Sequence, residues 1–556
     1  MIDDNSILEF DFSGTDRRNR ILSSILAVLF SLVILVLFTS YLKPDIRRNP
    51  LDSTYSINEL SEELRYRLFS VVDSDRVQNT GNLQSKLNKA AWSFFDGINY
   101  QPVWTTDSGT NSNFTVLISL LDSAMYLGFP FDYFDYNAIQ SLNDAFSSTK
   151  SLAARVDVER IATFTMLKFM LYLNQGVVEN DSSINYDNYL GALPLVLNTA
   201  IRENNLKRNV LALQPSIAQY QKISNSLPQF FSLYMAFRGD TSARFNDEQL
   251  TKAIFYAGID NANDIYKNHG SLALIHALQD RYNIPRDSAL NKSTQNLLVL
   301  LLQYRYYQAC VNLHRLRKLQ TDVDSYLIVN IPEYKLRVVE SGHEVQSYDV
   351  IVGKKETPTP IFTSSIEKIV ANPTWTVPRD IVKSDMLSRI QRDSTYLRRN
   401  GFSILDAYGN VVKPSAIDWK DSDPLGNRLF IRQKNGTSNA LGLLKIDFPN
   451  SYNIYIHDTP SKRLFQFKTR NFSHGCIRLA NIDRLAQYLA TQYAFGKDYN
   501  IKSLISDGTT QSVYLDRPVK IYIDYITCFG DDGNNLMFYS DIYDLDEKDI
   551  KQVLLD

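Results

Sequence analysis

Cysteine is scarce: Cys310, Cys476 and Cys528 are the three in 556 residues. So small and odd a number in a long chain excludes a disulfide framework, since at most one pair can form and one thiol at least is left over. A charge excess of one sign is also missing. The 59 Lys and Arg against 61 Asp and Glu leave a net charge of −2, which removes the basic surplus that neutralises nucleic-acid phosphates. Glycine and proline number only 22 and 18, and 44% of the residues are hydrophobic and 22% charged. That balance excludes collagen-like, repetitive and wholly disordered classes. Aromatics are plentiful, with 33 Tyr and 29 Phe, enough for cores or ligand-facing grooves. The length points to three or four domains at about 150 residues each.

Long uncharged apolar runs are absent but for one. Ile21 to Leu42, ILSSILAVLFSLVILVLFTSYL, holds 22 residues without a charge, and at 1.5 Å per residue it reaches about 33 Å, enough to cross a bilayer core. A cleaved signal peptide has a shorter apolar stretch followed by a small-x-small site, which Thr39-Ser40-Tyr41 fits poorly. A buried helix of a soluble core rarely stays uncharged on every face over six turns. The expectation is an uncleaved transmembrane helix over 21–42 behind a tail of residues 1–20. Arg17, Arg18 and Arg20 on one flank balance Lys43, Arg47 and Arg48 on the other, so flanking charge does not orient the span.

From Leu51 to Leu250 apolar residues recur at helical spacing, as in SINELSEELRYRLFSVV and RIATFTMLKFMLYLNQ, predicting a helical scaffold domain over 43–265. Trp92, Phe94, Phe95 and Trp104 there are read as core residues. Between Asn268 and Leu300 two short helical stretches flank a polar loop. A long apolar-and-basic helix follows, with Cys310 and His314 read as buried structural residues; together they form a small module over 266–322. At about Tyr326 the period changes from 3.6 to 2, in SYLIVNI, YKLRVVE and EVQSYDVIVG, predicting a mainly β domain over 323–556. Its pattern is interrupted over 379–418 by a more helical, polar and loop-like insertion of the kind that forms lids. The fold class is therefore multidomain α+β, with an N-terminal transmembrane helix, a mainly α scaffold and a mainly β domain.

Reactive chemistry concentrates in NFSHGCIRL. Cys476 follows His474 and Gly475, and His457 stands nineteen positions upstream in NIYIHDTP. A thiol is a weak nucleophile at neutral pH until a base takes its proton, and an imidazole held at a strand end can serve. Gly475 allows a turn in which the N–H groups near Gly475 and Cys476 converge on the oxygen of an attacked carbonyl. A lone Cys or His would be read as a packed residue; the combination raises both. Zinc is the rival, with His457, His474 and Cys476 as three ligands, but no paired C-x-x-C or H-x-x-x-H completes the set. The expectation is catalysis without metal or cofactor.

These residues resemble the L,D-transpeptidase family, whose signature places a His some eighteen residues before Ser/Thr-His-Gly-Cys and a following Arg or Asn. Here it reads His457, then Ser473-His474-Gly475-Cys476-Ile477-Arg478. YLIVNIPEYKL, IVGKKETPTPIF, VANPTWTVP, IRQKNGTSNALGLLKIDFPN and IYIHDTP resemble the large membrane-anchored branch. FFDGINYQPVWT resembles its scaffold, HALQDRYNIPRDSALNKST a degenerate peptidoglycan-binding module, and DYITCFGDDGNNLMFYSDIYDLD its terminal strands. Asn435, where Pro is usual, and Cys528, where a small apolar residue is usual, depart from the pattern outside the signature.

The resemblance implies a mainly β catalytic domain with the 379–418 insertion as a substrate cap. It implies Cys476 as nucleophile, His457 as general acid and base oriented by the backbone carbonyl of Asp458, and Gly475 and His474 in the oxyanion loop. Ser473 would shape that loop, and Arg478 would fix it or meet a substrate carboxylate. The implied reaction is 3→3 cross-linking of peptidoglycan stem peptides, from a tetrapeptide donor to a diamino-acid acceptor, through a cysteine thioester with release of D-Ala. Hydrolysis at the same site, an L,D-carboxypeptidase, and a non-catalytic peptidoglycan-binding scaffold are the alternatives. Stem peptides lie outside the cytoplasmic membrane, so the tail 1–20 is expected to be cytoplasmic, the span single-pass, and the catalytic domain periplasmic or otherwise extracytoplasmic. A carbapenem is expected to acylate Cys476.

Overall fold

A computed structural model describes residues 55–552 apart from 79–81, 131–132, 178–186, 240–244, 320–322, 422 and 495–497. The apolar run 21–42 and the tail before it lie outside the described residues. Among the described residues no helix is long and apolar enough to cross a membrane. Ile57–Asp556 form one unit, and Met1–Ser56 another that falls almost wholly outside the described residues.

Helices fill the chain from Ile57 to Lys318. Three organise it: α1 (Leu152–Gln175), α2 (Ala218–Arg238) and α3 (Lys292–Lys318). Ser151 and Asn291 cap α1 and α3 by accepting from the N–H groups of Ala154 and Thr294, which satisfies donors that a helix start otherwise leaves bare. The helix α1 is apolar on most faces and is buried accordingly. Its fully buried carboxylate, Glu159, accepts from Trp104 N at 3.0 Å, Val103 N at 2.9 Å and Thr105 Oγ1 at 2.6 Å. Even so, burial pushes its carboxyl up to about 7. Trp104, Phe94 and Phe95 are buried, and Trp92 half-buried. Cys310 and Cys528 are buried free thiols. His314 is buried as well, with Nε2 3.0 Å from Gly128 O. The stretch 268–300 belongs to two longer helices, Ala262–Arg281 and α3, on either side of the polar loop.

The main sheet is built from β1 (Ser325–Asn330), β2 (Lys335–Glu340), β3 (His343–Gly353) and β4 (Phe362–Ala371). A separate small sheet follows: β5 (Trp375–Thr376), β6 (Phe402–Asp406), β7 (Val411–Val412) and β8 (Leu429–Gln433). The main sheet resumes with β9 (Leu444–Asp447), β10 (Ile456–His457), β11 (Asn471–Ser473), β12 (Ile477–Leu479) and β13 (Gln511–Asp524). Its order is β11-β3-β12-β10-β9-β4-β13-β1-β2, and β2 also pairs with β3, so the ladder closes on itself. Inward residues such as Leu327, Val350, Ile369, Ile446, Ile456 and Ile477 form one core with helix α4 (Ile482–Tyr493).

Two features differ from the sequence reading. The stretch 379–418 is largely helical and loop-like, but it also contains β6 and β7, and its sheet is completed by β5 before it and β8 after it. Val377, Val382, Met386, Ile390, Leu397, Ile404 and Ile431 give this subdomain a core of its own. A two-residue strand such as β7 is too short to show a period of two, which is why the sequence does not reveal it. The second feature is the closing hairpin, β14 (Cys528–Gly530) with β15 (Leu536–Phe538). Cys528 and Leu536 join the helical core beside Tyr220, Leu227 and Phe230 of α2. A Cβ on Gly530 would stand 2.5 Å from the Lys222 backbone carbon, so only glycine permits that approach.

Candidate active site

Strands β10 and β12 run parallel, with Ile456 opposite Ile477 and His457 opposite Arg478. Successive side chains alternate faces. Ile456, Ile477 and Leu479 point into the core, so His457 and Arg478 point away from it, and one step earlier so do Tyr455 and Cys476. Antiparallel β9 adds Lys445, the register partner of His457, to the same face. Five polar or reactive side chains are thereby gathered on one face by alternation and register alone. Their contacts agree. Lys445 Nζ lies 4.1 Å from the centre of the Tyr455 ring, and that ring lies 5.7 Å from the His457 ring.

His457 is 5% exposed, and its Nδ1 lies 2.5 Å from Asp458 O. A carbonyl only accepts, so Nδ1 carries the hydrogen and Nε2 is left with a free lone pair. Burial first, then the positive charges of Arg478 and Lys445, pull the imidazole down to about 3. It is therefore neutral at physiological pH. Asp458 is fixed in turn: its N donates to Leu444 O at 2.9 Å, its Oδ2 accepts from Leu443 N at 3.0 Å, and Lys462 pairs with its other oxygen. Gly442, at φ +62°, makes this arrangement feasible, because a Cβ there would stand 2.3 Å from Asp458 Oδ2.

The Cys476 thiol donates to Asn453 O at 3.8 Å and lies beside the Tyr455 hydroxyl. It makes no hydrogen bond to the imidazole in this structure. Burial raises its pKa, opposed by Tyr455, Lys445 and Arg478. Thiol and imidazole thus rest as a neutral pair rather than an ion pair, and catalytic hydrogen bonds in unliganded sites commonly tighten only with substrate.

The loop before Cys476 is closed by its own hydroxyl. Ser473 Oγ donates to Cys476 O at 2.6 Å and accepts from Gly475 N at 3.1 Å. Gly475 sits at φ +108°, a region costly for any side chain. Its N–H, expected at an oxyanion, is instead committed to Ser473. The Cys476 N–H has no partner among the described residues. His474 Nε2 lies 3.0 Å from Asp385 Oδ2 of the small subdomain but out of line for a hydrogen bond. Arg478 Nε is buried without a partner, and burial lowers the guanidinium's pKa. Among the described residues no group of three or more His, Cys, Asp or Glu is arranged to hold a metal.

Residues 324–521 match the L,D-transpeptidase catalytic domain. Residues 89–227 match a second family, the Scaffold domain. Over 241 residues the chain is 36% identical to the "Putative L,D-transpeptidase" of Haemophilus influenzae, covering 43% of this chain and 48% of that protein. The chain thus spans about half the length of the curated relative it matches. An L,D-transpeptidase from Mycobacterium smegmatis of known structure aligns at 14% identity with a TM-score of 0.17, over 36% of this chain and 58% of that one. That superposition is too slight to support any inference.

Sequence reading named Cys476, His457, Asp458, Ser473, His474, Gly475 and Arg478, and all of them lie on or beside this face. It missed Tyr455 and Lys445. Tyr455 was within reach, since it stands two residues before His457 in the strand-like run NIYIH, where alternation puts both on one face. Lys445 depends on the register of β9, which no local pattern discloses.

Proposed function

We propose that this chain is a peptidoglycan L,D-transpeptidase that forms 3→3 cross-links through a thioester on Cys476. The reading is supported above all by the shared face that holds Cys476 beside a tautomer-fixed His457 within a matched L,D-transpeptidase domain. In the first step the sulfur adds to the carbonyl between the diamino acid at stem position three and D-Ala at position four, and the thiol proton passes to His457 Nε2. The oxyanion falls to the Cys476 N–H, because the Gly475 N–H is held by Ser473. Imidazolium is disfavoured beside Arg478 and Lys445, so it readily returns the proton to the departing D-Ala nitrogen. The thioester then meets the side-chain amine of a second stem, which His457 deprotonates, and the thiol is regenerated. One peptide bond is broken and one made, so no energy source is consumed.

Arg478 is assigned to a substrate carboxylate, which would give its buried Nε a partner. His474 and Ser473 shape the loop, and the subdomain over Trp375–Gln433 acts as the cap. Residues 21–42 are the proposed membrane anchor, with 1–20 in the cytoplasm and the catalytic domain outside, where stem peptides are. The 266–322 module is proposed as a degenerate wall-binding element.

The test is incubation of the purified chain with disaccharide-tetrapeptide, read by mass spectrometry. A dimer lacking one D-Ala is expected. Tripeptide alone would mean that water takes the thioester, as in an L,D-carboxypeptidase, and no product with freshly reduced thiol would leave only a binding scaffold. A carbapenem should add its mass to the chain, and not to Cys476→Ala.

A further inference from the structure

The site contains a hydroxyl whose two hydrogen bonds leave it no freedom. Thr359 is 2% exposed, and its Oγ1 accepts from Gly353 N at 2.9 Å and donates to Gly475 O at 2.8 Å. An amide N–H only donates and a carbonyl only accepts, so the direction of both bonds is fixed. The Gly475 carbonyl belongs to the same peptide unit as the Cys476 N–H. That unit is planar and trans, so its C=O and N–H point in opposite directions. Holding Gly475 O therefore aims Cys476 N–H, which has no partner among the described residues.

Thr359 is itself braced from the far end of the chain. Its N donates to the Tyr543 hydroxyl at 3.1 Å, and that hydroxyl donates to Gly353 O at 2.6 Å. Tyr543 N donates to the Tyr525 hydroxyl at 2.9 Å, which donates to Asp541 at 2.6 Å. The turn after β3 folds so closely on Gly353 that a Cβ there would meet Thr357 O at 2.2 Å. Nothing in the signature sequence points to Thr359 or Tyr543. They lie 117 and 67 residues from Cys476 in the chain.

We propose that Thr359, clamped by Tyr543, is a positioning residue for acyl transfer: it sets the Gly475–Cys476 peptide plane so that the Cys476 N–H faces the oxyanion. The inference rests on the reading of Cys476 as nucleophile, and its test separates the two. Two reagents are used on the full chain. Iodoacetamide alkylates the thiolate by displacement of iodide and makes no oxyanion. With p-nitrophenyl acetate the sulfur adds to the ester carbonyl, the thiol proton goes to His457, and the tetrahedral oxyanion collapses to an S-acetyl thioester with loss of p-nitrophenolate. Both rates are read at Cys476 by peptide mass.

In Thr359→Val, acetylation is expected to fall about 100-fold, as for loss of one oxyanion donor, with alkylation changed by less than about twofold. Thr359→Ser should restore acetylation, and Tyr543→Phe, which keeps the ring and removes the clamp, should show a smaller loss of the same selectivity. Equal falls in both rates, or no fall in either while wild-type Cys476 is acetylated, would overturn the positioning role and leave the nucleophile standing. Failure of wild-type Cys476 to be acetylated at all would overturn both.

Discussion

At the scale of single residues the site rests on an imidazole that burial keeps neutral. Free histidine titrates near 6.5, and His457 is pulled down to about 3. Between those values the unfolded chain binds a proton that the folded chain refuses, so folding stability declines as pH falls through that window. The slope is roughly 1.4 kcal/mol per pH unit from this one group. His457→Gln should remove that component. Urea unfolding of both proteins at a series of pH values from 7 to 4 should give curves that converge as pH falls; parallel curves would contradict the assignment. Cys476 and His457 were legible in the sequence because their chemistry is intrinsic to their types and their neighbours mark the loop. Thr359 and Lys445 were not, because each matters through a partner that only the closed sheet brings near.

Elements explain how these groups are held, and here the short ones carry the site. β10 and β12 have only two and three residues, yet their parallel pairing puts His457 and Cys476 on one face. The turn before β9 is equally exacting. Gly442→Ala adds a Cβ at φ +62° and drives it into the Asp458 carboxylate, which must then release Leu443 N and disturb the carbonyl that orients His457. A stability loss of about 1–3 kcal/mol is expected from the left-handed backbone and the lost buried bond, together with at least about a tenfold drop in turnover. Urea unfolding and product mass spectrometry measure the two, and an unchanged turnover would contradict the link from Gly442 through Asp458 to His457. The long strands β1 to β4 were legible from their period of two. The strands β6 and β7 inside the insertion were not, nor was the packing of the closing hairpin on the helical core, since what a short strand packs against is decided far away in the chain.

The described chain from Ile57 onward is tied end to end by α3. Arg315 Nη1 and Nη2 reach Asp546 Oδ1 at 2.5 Å and Asp549 Oδ2 at 2.7 Å in α5 (Leu545–Ile550), and Nη1 also reaches Tyr525 O at 3.1 Å. Asn312 exchanges two bonds of 2.7 Å with Thr527. This staple joins the helical region to the segment that clamps Thr359. Arg315→Met leaves a fully buried Asp546 without its cation, a loss of about 3–5 kcal/mol. The denaturation midpoint should fall accordingly, and a shift worth less than about 1 kcal/mol, the level of an exposed pair, would mean the staple does not hold the two regions together. The most direct measurement of the whole account is peptide mapping of the full chain quenched during turnover of disaccharide-tetrapeptide. The expected result is a tripeptide acyl adduct on Cys476, absent from Cys476→Ala. Cross-linked or trimmed product formed with no adduct on Cys476, or formed equally well by Cys476→Ala, would contradict it.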